Sequence, residues 1–411
     1  MGDAEQRGPA IAFSCRLIRK GAERTLLTMS SNLSRRRILT VGASVALGGI
    51  AAASPGIAQA ATAAASVGGA PAGREETRSL DELYQDALAE SGKLVIYAGG
   101  DISSQQDATR AAFAQRFPGI ALTMVVDYSK YHDVRVDNQL ATNTLVPDVV
   151  QLQTLQDFTR WKAEGKLLPY RAAGFSKQYP LFRDPAGTWT TVVVSPFSFM
   201  YDVAAAGANA PKTPLDLIDP RWKGAIASSF PHDDDAVLYL FSLYQKAYGW
   251  DWVAKFAAQQ PQFGRGSFSG GAAVTAKQKI IGVGTGGILI APPTSPTRWV
   301  APEGHPFMAW GQRAAILRGA PNPTAAKLYL NWRLSPAFQQ ASGTGWSVRT
   351  DIVPAGGLKP VWEYPNAHLD GFPKFMEDRA GIERLKQTFA LYFGEVKGDP
   401  TPGWLGLHPG R

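Results

Sequence analysis

An α/β architecture of two doubly wound lobes is what this sequence predicts, and three observations lead to it. From residue 80 onward, apolar runs of strand length alternate with stretches of helical periodicity. The order strand, helix, strand, helix, strand between residues 93 and 164 argues a parallel sheet with helices on both faces. The chain beyond residue 60 is also long enough to divide into two cores.

Residues 1–60 are set aside first. Ser34-Arg35-Arg36-Arg37 precedes an Ala- and Gly-rich apolar run, 41–53, and Ala58-Gln59-Ala60 fits a small-residue cleavage site. These are the marks of a twin-arginine export signal. The apolar run is too short and too rich in glycine for a membrane span of roughly 20 residues. Met29 would be the more ordinary start of such a signal, and 1–28 would then be an over-long gene start.

Removing this segment changes the composition. Residues 1–73 hold eight Lys and Arg against three Asp and Glu, which is five of the eight net positive charges of the whole chain. The basicity is mostly an export address, so nucleic-acid binding loses its support. The single cysteine, Cys15, lies in the removed part. The exported chain therefore has no disulfide, thiol nucleophile, thiolate metal site or lipid-bearing N-terminal cysteine.

The remaining elements follow in order. Residues 68–73 read as a linker. Leu80, Leu83, Ala87 and Leu88 recur at helical spacing, and KLVIYA at 93–98 is a buried strand. A helix over 107–117 ends at Pro118-Gly119, and 120–126 is the next strand. Residues 130–142 are helical, 147–151 a short strand, and 155–164 a helix stopped by Gly165. A long strand at 190–201 comes next. In 213–235, TPLDLIDPRWKGAIASSFPHDDD, Asp219-Pro220 breaks a helical turn and Trp222 anchors it. Gly224 opens a strand over 225–230, Pro231 stops it, and three aspartates stand before a helix over 237–248.

That stretch resembles the "W-x-D-L-x-D-P-x-W-K-G" segment of periplasmic solute-binding proteins of ABC importers, in the ferric-iron and sugar-phosphate binding branch. The likeness continues in order through KLVIYAGG, FAQRFPGI, PDVVQLQTLQDFTRWKAEGKLLPY, the Asp184–Trp189 turn, RGAPNPTAAKLY at 318–329 and GWSVRTDI at 345–352. It covers most of 92–352. The resemblance implies a type 2 periplasmic-binding fold, with lobe 1 from 92–200 and 307–411, lobe 2 from 201–306, and 61–91 as linker and first helix. Two or three strands would join the lobes as a hinge, the C-terminal helices would pack on lobe 1, and a solute would sit between the lobes. Its partners would be that solute, a membrane permease and the twin-arginine export machinery; the protein would be a periplasmic monomer without a cofactor.

Iron binders of this branch use a His or carboxylate after the first strand, a Glu after the "P-D-V" strand and a tyrosine pair in the second lobe. The corresponding places here are Gly100 or Asp101, Gln153, and 284–288 with no tyrosine. Hard Fe(III) prefers anionic oxygens, so no metal is expected.

The ligand-binding candidates are turns at strand ends. Gly100, Asp101 and Ser103 follow the first strand, Ser129 opens a helix, and Gln151 and Gln153 flank the end of the third strand. Ser269, Gly270, Thr285 and Gly287 lie in Gly-rich turns whose backbone N–H groups can approach an oxyanion. Those glycines serve equally for tight turns, and Ser103 for a helix cap. His232, Asp233 and Asp234 form the sharpest cluster: with Asp235 they exceed what capping needs and suit an amine, a hydroxyl or a cation. Arg265 and Arg349 can pair a carboxylate or phosphate, and Lys130 either joins them or is solvated.

The solute expected is a small polar organic molecule bearing a carboxylate or phosphate. The alternatives are ferric iron, or a cation, polyamine or thiamine. The scattered histidines and the absence of phosphate-loop or nucleophile-elbow motifs argue against an enzyme. His232 beside Ser228 and Ser229 is the nearest approach to a hydrolase. A sensor on the same fold would differ only in its membrane partner. Asp234→Ala and Ser269→Ala are both expected to weaken binding.

Overall fold

A computed structural model describes residues 73–341 and 345–398. The expected export signal, the linker up to residue 72 and the Pro-rich tail from 399 lie outside the described residues.

The chain enters through α1 (Leu80–Glu90), whose Ser79 cap and Glu82 satisfy each other's backbone N–H groups. It continues through β1 (Lys93–Gly99), α2 (Asp107–Arg116), β2 (Ala121–Asp127), α3 (Ser129–Thr142), β3 (Val149–Leu152) and α4 (Leu155–Ala163). β1 pairs in parallel with both β2 and β3, the arrangement that the strand–helix alternation predicts. All four residues of β3 are buried, as a strand covered on both faces should be.

Next come β4 (Thr190–Asp202), the short α5 (Val203–Ala206), β5 (Ile226–Ser229), α6 (Asp235–Ala258), β6 (Gln262–Gly264), α7 (Phe268–Thr275), β7 (Ile281–Thr285) and β8 (Thr297–Val300). β5 pairs in parallel with β6 and β7, forming a second parallel group. β9 (Met308–Ile316), α8 (Pro323–Leu334), α9 (Pro336–Gln340), α10 (Gly371–Glu377) and α11 (Arg379–Phe393) complete the chain.

The strand order is β2-β1-β3-β9-β4-β7-β5-β6, with β8 also on β4. β4 belongs to both groups. Its residues from Thr190 to Phe197 pair with β9, and those from Ser198 onward pair with β7 and β8. β9 in turn pairs with β3. Two long antiparallel strands therefore join two parallel α/β lobes.

Each lobe has its own core. Leu83, Ile96, Phe113, Tyr329 and Trp332 pack α1, α2 and α8 on the first, while Tyr97, Val150, Phe158 and Trp161 fill its other face. Phe241, Trp252, Ile281 and Phe389 centre the second. The C-terminal helices divide: α8 packs with α1, α11 joins the α6 core, and α10 lies between the two lobes, packing on α6 and on α4, where Thr159 Oγ1 donates to Glu377. The cause is aromatic. Phe372, Phe375, Phe389 and Phe393 have ring partners in Tyr239, Phe241, Phe256 and Phe263.

Helix α6 is two helical segments: the first ends at 248 as expected, where Gly249 takes a φ of 80°, and a second runs on to Ala258. Among the described residues no helix is long and apolar enough to cross a membrane.

Candidate functional site

The carboxyl ends of β1, β2, β3, β5 and β6 converge on one cavity of about 120 Å³. Open α/β sheets place ligands at this edge. The first lobe contributes Gly100 and Asp101 after β1, Tyr128 to Lys130 after β2, and Gln153 and Thr154 after β3. The second contributes Asp233 to Asp235 after β5, and Gly266 and Ser267 after β6. The joining strands supply Ser195, Phe197, Trp310 and Gln312, and α10 supplies Met376.

Hydrogen bonds cross the cavity in three places. Lys130 Nζ donates to Asp233 Oδ1 at 2.7 Å and to the Asp233 carbonyl at 2.9 Å. Gln153 Nε2 donates to Asp234 Oδ1 at 3.2 Å. Asp101 Oδ2 accepts from Ser267 Oγ at 2.5 Å and from the Phe268 amide at 3.2 Å.

The three aspartates after β5 have three environments. Asp233 is gripped by Arg265, whose Nε and Nη2 each lie 2.8 Å from one of its oxygens. Burial would raise its pKa, but Arg265 and Lys130 outweigh burial and hold it below the ordinary carboxylate value. Asp234 caps α6, accepting from the Ala236 and Val237 amides. It is also pushed up to about 7, first by burial and then by the charge of Asp101. Asp235 turns to the C-terminal helices, with Arg379 at 3.0 Å and Lys386 at 2.9 Å. Asp101 is raised as well, by burial, against the hydrogen bonds from Ser267 and Phe268.

Two helix N-termini that face the cavity are therefore already occupied by carboxylates of the protein. Asp234 fills that of α6, and Asp101, reaching across from the other lobe, takes the first amide of α7. Two lining side chains are left open. Trp310 Nε1 and Thr154 Oγ1 are buried and have no hydrogen-bond partner among the described residues; the residues are 4% and 5% exposed.

Of the thirteen sequence-predicted residues, Gly100, Asp101, Ser129, Gln153, Asp233 and Asp234 line this cavity. Ser129 Oγ accepts the Gln153 amide at 2.9 Å, tying two of these turns together. Ser103 is exposed and outside it. Gln151 is buried one layer behind, accepting from Tyr329 Oη at 2.9 Å and Arg333 Nη1 at 3.0 Å and donating to Gln312 Oε1 at 3.2 Å. His232 turns edge-on to the Phe230 ring, with its pKa lowered by burial.

Of the Gly-rich turns only Gly266 and Ser267 reach the cavity; Ser269, Gly270, Thr285 and Gly287 do not. Ser269 Oγ donates to the Arg265 carbonyl. A Cβ on Gly270 would lie 2.9 Å from the Val283 carbonyl, and one on Gly287 would collide with the Trp299 side chain. Thr285 is buried, with its hydroxyl on the Gly286 carbonyl. Close packing of α7 on β7 accounts for these residues.

Arg265 and Arg349 are also committed to the protein: Arg349 forks onto Asp351 and donates to the Leu334 carbonyl. Ser228 and Ser229 give their hydroxyl hydrogens to backbone carbonyls, which dissolves the crude hydrolase grouping around His232. Among the described residues no three His, Cys, Asp or Glu side chains gather so as to hold a metal ion.

Sequence reasoning missed Trp310, Gln312, Ser195, Phe197 and Met376. A signal for the first four lay in the long strands that carry them, since a hinge strand must pass under the cleft.

A two-lobed α/β fold with its cavity at facing strand ends is an arrangement suited to holding a small solute. Residues 142–343 match the family model described as bacterial extracellular solute-binding protein. Solved structures agree in fold. Iron-bound HitA from Pseudomonas aeruginosa is 15% identical with a TM-score of 0.55, over 72% of this chain and 99% of its own. The periplasmic binding protein AfuA from Actinobacillus pleuropneumoniae, with fructose-6-phosphate bound, is 18% identical with a TM-score of 0.58, over 74% and 99%. An ABC-transporter substrate-binding protein from Agrobacterium tumefaciens is 16% identical with a TM-score of 0.59, over 75% and 96%. No curated protein matches the chain in sequence.

Proposed function

We propose that this chain is the periplasmic substrate-binding component of an ABC importer, which captures a small polar organic solute between its lobes and delivers it to a membrane permease. The observation that carries this reading is the cavity itself. Five strand ends from two lobes meet there, and side chains of one lobe hydrogen-bond to the other across it. A solute touching both sides would favour the closed arrangement. The hinge lies in β4 and β9, the lobes are 92–200 with 307–370 and 201–306, α11 packs on the second, and α10 lies between them. The protein acts as a monomer, exported through a twin-arginine signal cleaved near Ala60, and it performs no chemistry on its cargo.

The lining supports a compact organic solute better than ferric iron. Tyr128 is the phenol at the cavity, and burial followed by the charge of Asp101 pushes its pKa up, away from the phenolate that Fe(III) prefers. A solute bearing a carboxylate or phosphate would have to compete for Lys130 with Asp233.

A thermal-shift screen of the full chain tests the reading against amines, amino acids, sugar phosphates, polyols and Fe(III). A solute at a hundred times its dissociation constant adds about 2.7 kcal/mol of stability. Stabilisation by an organic solute that is recovered unchanged is the expected result. Conversion of the solute would contradict it.

A further inference from the structure

We propose that the solute is a small organic monocation, an alkylammonium that also carries an oxygen acceptor, and that its ammonium lies between Asp101 and Asp234. This rests on the solute-capture reading above and specifies its cargo.

The charge of the lining points this way. Lys130, the basic residue of the lining, and Arg265 nearby both pair with Asp233. Asp101 and Asp234 have no cationic partner among the described residues. Each is held only by neutral donors: Ser267 and the Phe268 amide for the first, Gln153 and the α6 amides for the second. They stand on opposite lobes, and the charge of Asp101 raises the pKa of Asp234. Closing the cleft thus brings two carboxylates together, at an electrostatic cost that a cation between them removes.

An anionic solute faces the reverse. Helix N-termini are the usual anion seats of an α/β cleft, yet Asp234 and Asp101 already sit on those of α6 and α7. A phosphate or carboxylate at either would have to displace an aspartate, which leaves it only the uncapped starts of α3 and α4, at Tyr128 and Thr154 on the first lobe.

The remaining chemistry of the solute follows from the two open side chains. Trp310 Nε1 is a donor without an acceptor, and Thr154 Oγ1 is a hydroxyl without a partner, both buried in the lining. Leaving such groups unsatisfied is unfavourable. A hydroxyl, ether or carbonyl oxygen on the solute would satisfy them. Phe197 and Met376 offer apolar cover for its carbon atoms. A cavity of about 120 Å³ limits the molecule to a compact one.

Calorimetric titration of the full chain with ethanolamine, choline and 1,4-diaminobutane, beside glycerol phosphate and citrate, tests the proposal. Ethanolamine or choline is expected to bind. Asp101→Asn and Asp234→Asn, which keep the shape and the helix cap, should each weaken that binding by about tenfold or more, the loss of one charge-assisted contact. Trp310→Phe should weaken the oxygen-bearing amines and leave the diamine unchanged. The absence of binding by both ethanolamine and choline overturns the proposal, as does binding of the diamine alone or amine binding that is indifferent to both Asn variants. Binding of glycerol phosphate or citrate, abolished by Gln312→Ala, sinks the cation and leaves solute capture standing. Binding of any probe that ignores Gln312→Ala and Asp234→Asn alike sinks both readings.

Discussion

Two turns of the second lobe look equally suited to a ligand in the sequence, and the fold uses them in opposite ways. The acidic turn after β5 opens on the cavity, while the glycine-rich segments of α7 and β7 close on each other. A Cβ on Gly282 would lie 2.5 Å from the Gly270 carbonyl, and one on Gly271 would lie 2.8 Å from Thr285 Oγ1. Glycine allows close approach of a backbone, but the approaching partner here is another backbone. Asp234 meanwhile caps a helix and faces the cavity together, so capping and binding are not competing explanations for it. A polar residue at a strand's carboxyl end is the better guide to a site than a run of glycines.

Substitutions can break this contrast at several strengths. Asp233→Ala should have the largest effect. It strips Arg265 and Lys130 of their carboxylate, and removing one member of a mostly buried pair costs about 3 kcal/mol, readable as a lower midpoint in urea. Gly282→Ala comes next. Its methyl group must push α7 off β7 at a cost of about 1–3 kcal/mol, seen as a fall in Tm, and any solute should keep its affinity for the molecules still folded.

Asp234→Asn sharpens the other side of the comparison. The Asp234 carboxyl is held near 7 in the folded protein, against about 4 in an unfolded chain. The folded state therefore binds more protons between these values, and the contribution of the group to stability falls as pH rises through that window. The Asn variant should gain on the wild type between pH 4.5 and 8, by roughly 1–2 kcal/mol once solvent screening is allowed for. Paired thermal melts across that range measure the gap; a gap independent of pH would contradict the burial of this carboxyl. Ser269→Ala should do least. It removes a hydrogen bond to the Arg265 carbonyl, worth about 1 kcal/mol, without changing solute affinity, contrary to what the sequence alone suggests.

Much of the architecture is legible in the order of residues. Apolar runs such as 93–98 form strands, and stop signals at Pro118 and Gly165 end helices where expected. Six lining residues are readable because they follow strand ends, where local sequence marks the turn. Trp310 and Gln312 are not, since their place depends on β9 lying between β3 and β4, a long-range pairing that no local pattern encodes. Met376 reaches the cavity from α10 because that helix packs on both α6 and α4, a long-range arrangement. Gln151 fails in the opposite sense. Its position at a strand end suits a ligand contact, but its side chain points back to Tyr329 and Arg333, and Gln312 stands in front of it.

Closure of the two lobes on a solute is the central claim, and amide hydrogen exchange at Phe268 and Gln153 tests it most directly. These amides are bound to Asp101 and Ser129 at the cavity edge. The probe is whichever screened solute raises Tm most, at saturation. The account predicts that Phe268, bonded across the cleft, slows strongly, that Gln153, bonded within its own lobe, slows less, and that amides in α1 and α8 stay unchanged. Equal slowing everywhere, or none at Phe268, would contradict it.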